Sequence, residues 1–183
     1  MARIPTLNTP EGLTDEQRIA YDAIGATRGG VRGPFTILLH NPELALRTAH
    51  LGAYIRFESR ISTQICIVAA LVTARIMNSE FEFSTNAEHG KKAGLDEKVV
   101  TAIRERTAPE GLNEEEALVF RVGTELLTGG YRISPETFEA ALAFYGRQGL
   151  IDLIATFGYY SHIACILNAF EMEPRAGHAP LPK

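Results

Sequence analysis

The sequence predicts an all-α protein of about seven or eight helices. Helix start and stop signals recur along the 183 residues, whereas the alternation of apolar and polar residues that marks half-buried strands is absent. Two apolar segments, 65–72 and 150–170, are suited to the core of a helical protein. A chain of this length is large enough for one hydrophobic core, so we expect a single domain over residues 1–183 with extended N- and C-terminal arms.

The predicted helices begin at short polar residues that are suited to an N-cap. Two further signals support several of these starts: glutamine or glutamate three positions later, or proline at the next position. The N-caps are Thr14, Asn41, Ser62, Asp96, Asn113 and Ser134, and the helices from Thr14, Asn41, Ser62 and Asn113 are predicted to end near Thr27, Glu58, Met77 and Leu127. Gly94 ends a further predicted helix that starts near Ser79, and Gly149 precedes the last long one.

Charge and hydropathy favour a soluble cytoplasmic protein. The net charge of −4 argues against a nucleic-acid partner, since such a surface usually needs a basic patch. The first residues lack the apolar core of a signal peptide. Segment 65–72 is too short to cross a membrane, and segment 150–170 carries Asp152, His162 and Asn168, so we interpret it as a central or interface helix.

The two cysteines predict neither a metal site nor a redox site. Cys66 and Cys165 lie far apart, both within apolar runs, and no Cys-x-x-Cys motif or His/Cys ligand spacing is present. We expect two buried, reduced thiols and no bound metal.

The ends of the chain indicate self-association. Segments 3–10 and 173–183 are rich in proline and cannot be helical throughout. Such arms either fray or pack onto a neighbouring subunit. Two highly apolar helices in a short chain favour the second alternative, so we expect a homo-oligomer.

One helix combines polar residue types that are suited to chemistry. Ser79, Glu82, Asn86 and His89 stand at offsets of 0, 3, 7 and 10, which places them on one helical face. A carboxylate, an amide and an imidazole aligned in this way can bind or protonate a small molecule. The alternative is a polar stripe that faces solvent or a partner subunit.

Several stretches resemble the carboxymuconolactone decarboxylase family, which includes the alkylhydroperoxidase D proteins. The matching stretches are Gly33-Pro34-Phe35 and residues 38–45, 54–58, 73–75, 81–83, 92–95, 158–160, 167–170 and 180–182. The resemblance covers nearly the whole chain. It implies an all-helical protomer, a trimer or hexamer, and a pocket beside the signature helix near a subunit interface.

The same resemblance argues against peroxidase chemistry. Peroxidase members carry Cys-x-x-Cys-x-x-x-His on this helix, and those positions fall on Ser79, Glu82 and Asn86. The glutamate of their proton relay falls on Ile67. Peroxide reduction needs a thiolate and a resolving thiol, so we expect neither peroxidase nor disulfide-reductase activity. The non-peroxidase signature Glu-Trp-x-x-His is met at Glu82 only, with Phe83 in place of its tryptophan and Asn86 in place of its histidine.

Glu82 is the leading catalytic candidate. Burial beside Phe81 and Phe83 would raise its pKa into a range useful for proton transfer. The alternative is a structural salt bridge, for which Arg75 on the preceding helix is the candidate partner. Asn86 cannot exchange a proton near neutral pH, so we expect it to donate a hydrogen bond to a substrate oxygen.

Further residues are assigned supporting roles. His89, one turn beyond Asn86, is the third catalytic candidate. The predicted substrate-binding residues are Arg75, His50, Tyr160 and His162. Each has a structural alternative: the arginine pairs internally, the two histidines are satisfied core residues, and only one of the two adjacent tyrosines, 159 and 160, reaches the pocket.

These expectations lead to two functional hypotheses. The first is a cofactor-free enzyme of lyase, decarboxylase or isomerase/cyclase type that acts on a small oxygenated cyclic or aromatic-derived metabolite. The second is a non-catalytic small-molecule binder or an oligomeric interaction protein, since a fold does not fix a function. Convergence of Glu82, Asn86 and a histidine on one cavity would favour the first.

Overall fold

A computed structural model describes residues 2–174, 177–178 and 180–182 of the chain. These residues form eight α-helices and one π-helical segment, and no strand occurs among them, which confirms the predicted all-α class. The helices are α1 (Asp15–Arg28), α2 (Phe35–Leu38), α3 (Pro42–Ala53), α4 (Thr63–Ile76), α5 (Glu80–Lys92), α6 (Glu97–Glu105), α7 (Glu114–Leu127) and α8 (Pro135–Ala169). The π segment, Tyr54–Glu58, continues directly from α3.

The capping residues explain where the helices begin. The side chains of Asn41, Ser62, Asp96 and Ser134 each accept a hydrogen bond from a backbone N–H in the first turn. Thr14 and Asn113 form complete capping boxes. Each cap satisfies a backbone donor that the helix itself leaves unpaired, so a local signal is enough to place the start.

Helix α4 forms the centre of the core. All of its residues from Ile65 to Arg75 are buried, and it packs against α5, α7 and α8. Packing with α7 and α8 is close at Gly123, where a Cβ would lie 2.5 Å from the ring of Phe157. Full burial of a side chain such as Leu71 contributes about 1.5–3 kcal/mol to the stability of the fold. Because α5 packs against this buried helix, its position is fixed by α4.

Two helices depart from the predicted pattern. The helix expected from Asn41 to Glu58 changes to π-helical bonding at its end, where Ser59 N donates to Tyr54 O at 2.9 Å. The last helix runs from Pro135 and is interrupted at Gly146, with φ of 65° and ψ of 177°. The break therefore lies before Gly149, at a glycine that adopts a left-handed φ.

Both arms contact their own chain, and the expectation that they also pack onto a neighbouring subunit stays a prediction. Arg3 N donates to Phe170 O at 3.0 Å, and Leu7 N donates to Thr36 O at 2.9 Å. In the C-terminal arm, Leu181 is buried. The protein's own residues therefore supply hydrogen-bond partners for backbone groups of the N-terminal arm. Residues 175, 176, 179 and 183 of that arm lie outside the described residues.

The two cysteines differ in burial, and the long helix α8 is mostly buried. Cys66 is buried as expected, whereas Cys165 is exposed, because it faces outward from α8. Among the described residues, α8 is the one helix long and apolar enough to cross a membrane, yet more than half of its apolar window is buried within the protein. We interpret α8 as a core helix.

Candidate functional site

A cavity of about 470 Å³ lies beside α5. Its walls come from the loop before α2, the inner face of α5, the π segment and α8. Gly33 has a φ of +57°, and a Cβ there would lie 3.1 Å from the ring of Phe81. Glycine at this position therefore lets the loop close against α5 and form one wall of the cavity.

Glu82 is buried within this wall. Its side chain belongs to a residue only 5% exposed, and Asn86 Nδ2 donates to Glu82 Oε1 at 2.8 Å and to Glu82 O at 2.9 Å. Burial raises the pKa of Glu82 to about 7, and the hydrogen bond from Asn86 and the positive charge of Arg56 oppose this rise. The pKa of this carboxyl group is thus raised toward the neutral range, as expected from the sequence.

Asn86 plays a different part from the one predicted. Its amide group has two N–H bonds, and both are directed to oxygen atoms of Glu82. It is therefore not free to donate to a substrate oxygen, which corrects the expectation from the sequence. Asn86 lines the cavity with Oδ1 as the remaining polar atom, so it positions Glu82 and offers an acceptor.

Arg75 contacts neither Glu82 nor the cavity. Its Nε donates to Arg104 O at 2.7 Å, and its Nη2 donates to Pro182 O at 2.9 Å. Both predicted roles, substrate binding and a salt bridge to Glu82, are therefore replaced by anchoring of the C-terminal arm. The reason is geometric: Arg75 lies in the last turn of α4, where it reaches α6 and the arm.

The histidines divide into one near the site and two away from it. His89 lines the cavity together with Glu82 and Asn86. His50 is exposed on α3, and the Nε2 atom of half-buried His162 lies 3.4 Å from Thr48 Oγ1. Neither His50 nor His162 lines the cavities, so their predicted substrate-binding role finds no support in the geometry.

Both adjacent tyrosines line the cavity, where the sequence predicted that only one would. The rings of Tyr159 and Tyr160 meet edge to face with centroids 5.2 Å apart. Burial is the main cause that raises the pKa of each hydroxyl, so both stay protonated near neutral pH. Tyr159 Oη fits against Gly52, where a Cβ would lie 2.2 Å away.

A second cavity of about 280 Å³ adjoins the first. The two share four lining residues, Arg56, Asn86, His89 and Tyr160. Cys66 and Ile67 also line the second cavity, and Cys66 Sγ lies 3.8 Å from Tyr160 Oη. Burial raises the pKa of Cys66, so this thiol is poorly suited to act as a nucleophile.

Sequence reasoning missed the arginines of the site. Arg28, Arg32 and Arg56 line the first cavity, and Arg56 also lines the second. Arg56 belongs to the matched stretch 54–58, which was the available signal, whereas nothing in the sequence marked Arg28. Within the described ranges, no group of three or more His, Cys, Asp or Glu residues is placed to hold a metal ion.

The sequence matches no model of a protein family and no curated protein. Several solved structures match the fold, and three of them are described below. An uncharacterized peroxidase-related protein from Silicibacter sp. TM1040 matches with a TM-score of 0.78 and 15% identity, covering 99% of this chain and 98% of that one. An alkylhydroperoxidase AhpD core protein, an uncharacterized peroxidase-related protein from Ralstonia eutropha JMP134, matches with a TM-score of 0.79 and 13% identity, covering 96% and 93%.

The third structure is a cysteine-to-alanine variant of the debrominase Bmp8 in complex with 2,3,4-tribromopyrrole. It matches with a TM-score of 0.75 and 14% identity, covering 96% of this chain and 95% of that one. At these identities the matches show the fold alone. The all-helical architecture built around α4 and α5 is the fold of the alkylhydroperoxidase D-like proteins, as the resemblance in the sequence implied.

Proposed function

We propose that this protein is a cofactor-free enzyme in which Glu82 transfers a proton to or from a small oxygenated cyclic or aromatic-derived molecule. The observation that carries this proposal is a carboxyl group that is buried, faces a cavity and has a pKa of about 7. A general acid or base works best when its pKa lies near the operating pH. The reaction class is a lyase, a decarboxylase or an isomerase/cyclase.

The contacts of Glu82 indicate which atom moves the proton. Oε1 accepts the hydrogen bond from Asn86, so Oε2 is the oxygen that exchanges a proton with the substrate. In a decarboxylation, the bond to the leaving carbon dioxide breaks and its electron pair forms an enolate. Glu82 then protonates the carbon, and the carboxylate recovers its proton from water. Arg56, whose charge acts on Glu82, stabilises the enolate.

The volume of the cavity and the residues that line it support a reaction on a small molecule. A volume of about 470 Å³ falls within the usual range for small-molecule sites. Glu82, Asn86 and His89 converge on it, which is the arrangement that favours an enzyme over a passive binder. His89 is the auxiliary acid or base in this proposal.

Screening metabolites by thermal shift, followed by mass spectrometry of the products, would identify the substrate, because a ligand stabilises the protein by mass action. Glu82→Gln is expected to keep the fold and to lower turnover by roughly 10²–10⁴, since glutamine cannot exchange the proton. His50→Gln and His162→Gln are the controls and should keep turnover near that of the wild type. Near-normal turnover in Glu82→Gln would reject the proposal, and binding without any product would favour the non-catalytic binder.

We also propose that the protein forms a homo-oligomer, as a trimer or hexamer. Leu51, Phe57 and Ile151 are 46%, 66% and 67% exposed, respectively. They belong to neighbouring elements, because Tyr54 Oη donates to Asp152 Oδ1 at 2.9 Å and joins the π segment to α8. An exposed apolar face of this kind is typical of a subunit interface.

Sedimentation should show an assembly that a Phe57→Glu/Ile151→Glu variant dissociates, with Ile19→Glu on α1 as the exposed control. A monomer at micromolar concentration would reject the oligomer.

A further inference from the structure

The amide of Asn86 is directed by its own helix. Nδ2 donates to the backbone carbonyl of Glu82, which is an acceptor only, so the amide nitrogen must face that side. The second N–H goes to Glu82 Oε1. The oxygen Oδ1 is therefore turned the other way, on a residue that is only 3% exposed and lines both cavities.

This oxygen lacks a donor. In the described part of the chain, no group hydrogen-bonds to Asn86 Oδ1. The oxygen faces the cavities, so a bound molecule with a hydroxyl or N–H group can donate a hydrogen bond to it. The site therefore calls for a ligand that donates at this point.

The positive charge of the same region favours the binding of an anion. Arg56 is half-buried and lines both cavities, and it forms no hydrogen bond or ion pair with a carboxylate or carbonyl group over residues 2–174, 177–178 and 180–182. Lys92 joins it in the second cavity, whose lining contains no aspartate or glutamate. Glu82 is the acidic residue of the first cavity, and burial raises its pKa to about 7, which favours its neutral form. A guanidinium group without an acceptor is suited to a carboxylate.

We propose that the junction of the two cavities binds a small carboxylate that also carries a hydroxyl or N–H group, with the carboxylate on Arg56 and the donor on Asn86 Oδ1. Such a molecule satisfies both groups at once. Its carbon skeleton lies beside Glu82. The inference rests on the proposed function for its location and concerns binding alone.

The test uses the full chain and calorimetric titration with four kinds of probe. The probes are 3- and 4-hydroxybenzoate, which carry both groups at two separations, benzoate, which lacks the donor, and methyl 4-hydroxybenzoate, which lacks the charge. We expect the better hydroxybenzoate to bind at least about fivefold more tightly than benzoate and at least about tenfold more tightly than the ester.

Variants connect each preference to its residue. Arg56→Met should remove the preference for the acid over the ester, whereas Arg60→Met, which removes a neighbouring exposed charge outside both cavities, should keep it. Asn86→Leu should remove the preference for the hydroxyl group. Arg56→Lys replaces Arg56→Met if the latter does not fold, and it should reduce the preference.

Three results would overturn the inference. They are hydroxybenzoates that bind no better than benzoate, an ester that binds as well as the acid, and the absence of binding by all probes at millimolar concentration. Glu82→Gln should retain both preferences, because glutamine Oε1 still accepts from Asn86. If it retains binding but also turns over an identified substrate normally, the proposed function fails and the binding inference stands.

Discussion

Arg75 and Arg56 are the same residue type, yet they have different roles in this protein. Arg75 is 4% exposed, and its guanidinium group donates to the carbonyl oxygens of Arg104 and Pro182. Arg56 is half-buried and faces two cavities, and no acceptor binds it within the described residues. The difference is that the protein itself supplies the acceptors of Arg75. A charge whose acceptors come from the protein stabilises the fold, and a charge that faces a cavity is available to a ligand.

Replacement of each arginine by methionine would test this contrast most directly. Arg75→Met should lower the free energy of unfolding by about 3–5 kcal/mol, because it leaves two carbonyl groups without donors and releases the C-terminal arm. Arg56→Met should change it by less than about 0.5 kcal/mol. Urea unfolding measures both values, and an equal loss in the two variants would show that Arg56 is also structural.

The pH dependence of stability would sharpen the role of Glu82. Its pKa is about 7 in the folded protein, compared with an ordinary value of 4.5. The folded state therefore holds a proton that the unfolded chain has released between these pH values. The stability that depends on this proton is full below pH 4.5 and is lost as the pH rises through 7, a change of about 3 kcal/mol.

Glu82→Gln does not titrate, so its advantage over the wild type should grow with pH. We expect the variant to be more stable by up to about 3 kcal/mol above pH 8 and similar in stability near pH 4. The other groups near Glu82 (Arg56, His89, Tyr159 and Tyr160) are present in both proteins, so the difference between the two urea-unfolding curves isolates Glu82. A constant difference across this pH range would show that Glu82 stays ionised in the folded state.

The smallest effect is expected at the cysteines. Replacement of Cys66 and Cys165 by alanine should leave turnover of the identified substrate largely unchanged, because neither thiol lies on α5 and the two are not paired. Peroxidase assays with an organic peroxide and a thiol reductant should show no turnover in either protein. Thiol-dependent turnover that disappears in the double variant would contradict this prediction.

The sequence predicted those parts of the molecule that depend on neighbours along the chain. Helix starts at Thr14, Asn113 and Ser134 follow from bonds over three residues, and the polar face of α5 follows from helical spacing. The partners of Arg75 lie 29 and 107 residues away, so no local pattern pointed to them. The hydrogen bond from the Asn86 amide to Glu82 could have been predicted, because a glutamate four residues earlier on a helix can accept from it.

Because of the π segment, which side chains line the cavities depends on the number of residues in this part of the chain. Its bonds join residues i and i+5, so each hydrogen-bonded loop encloses one more residue than in an α-helix. Loss of one codon before Arg56 would restore α-helical bonding and turn the following side chains by about 100° about the axis. Another residue would then take the place of Arg56 in both cavities, while the helices on either side stayed intact. On this scaffold, one insertion or deletion would therefore alter ligand choice in a single evolutionary step.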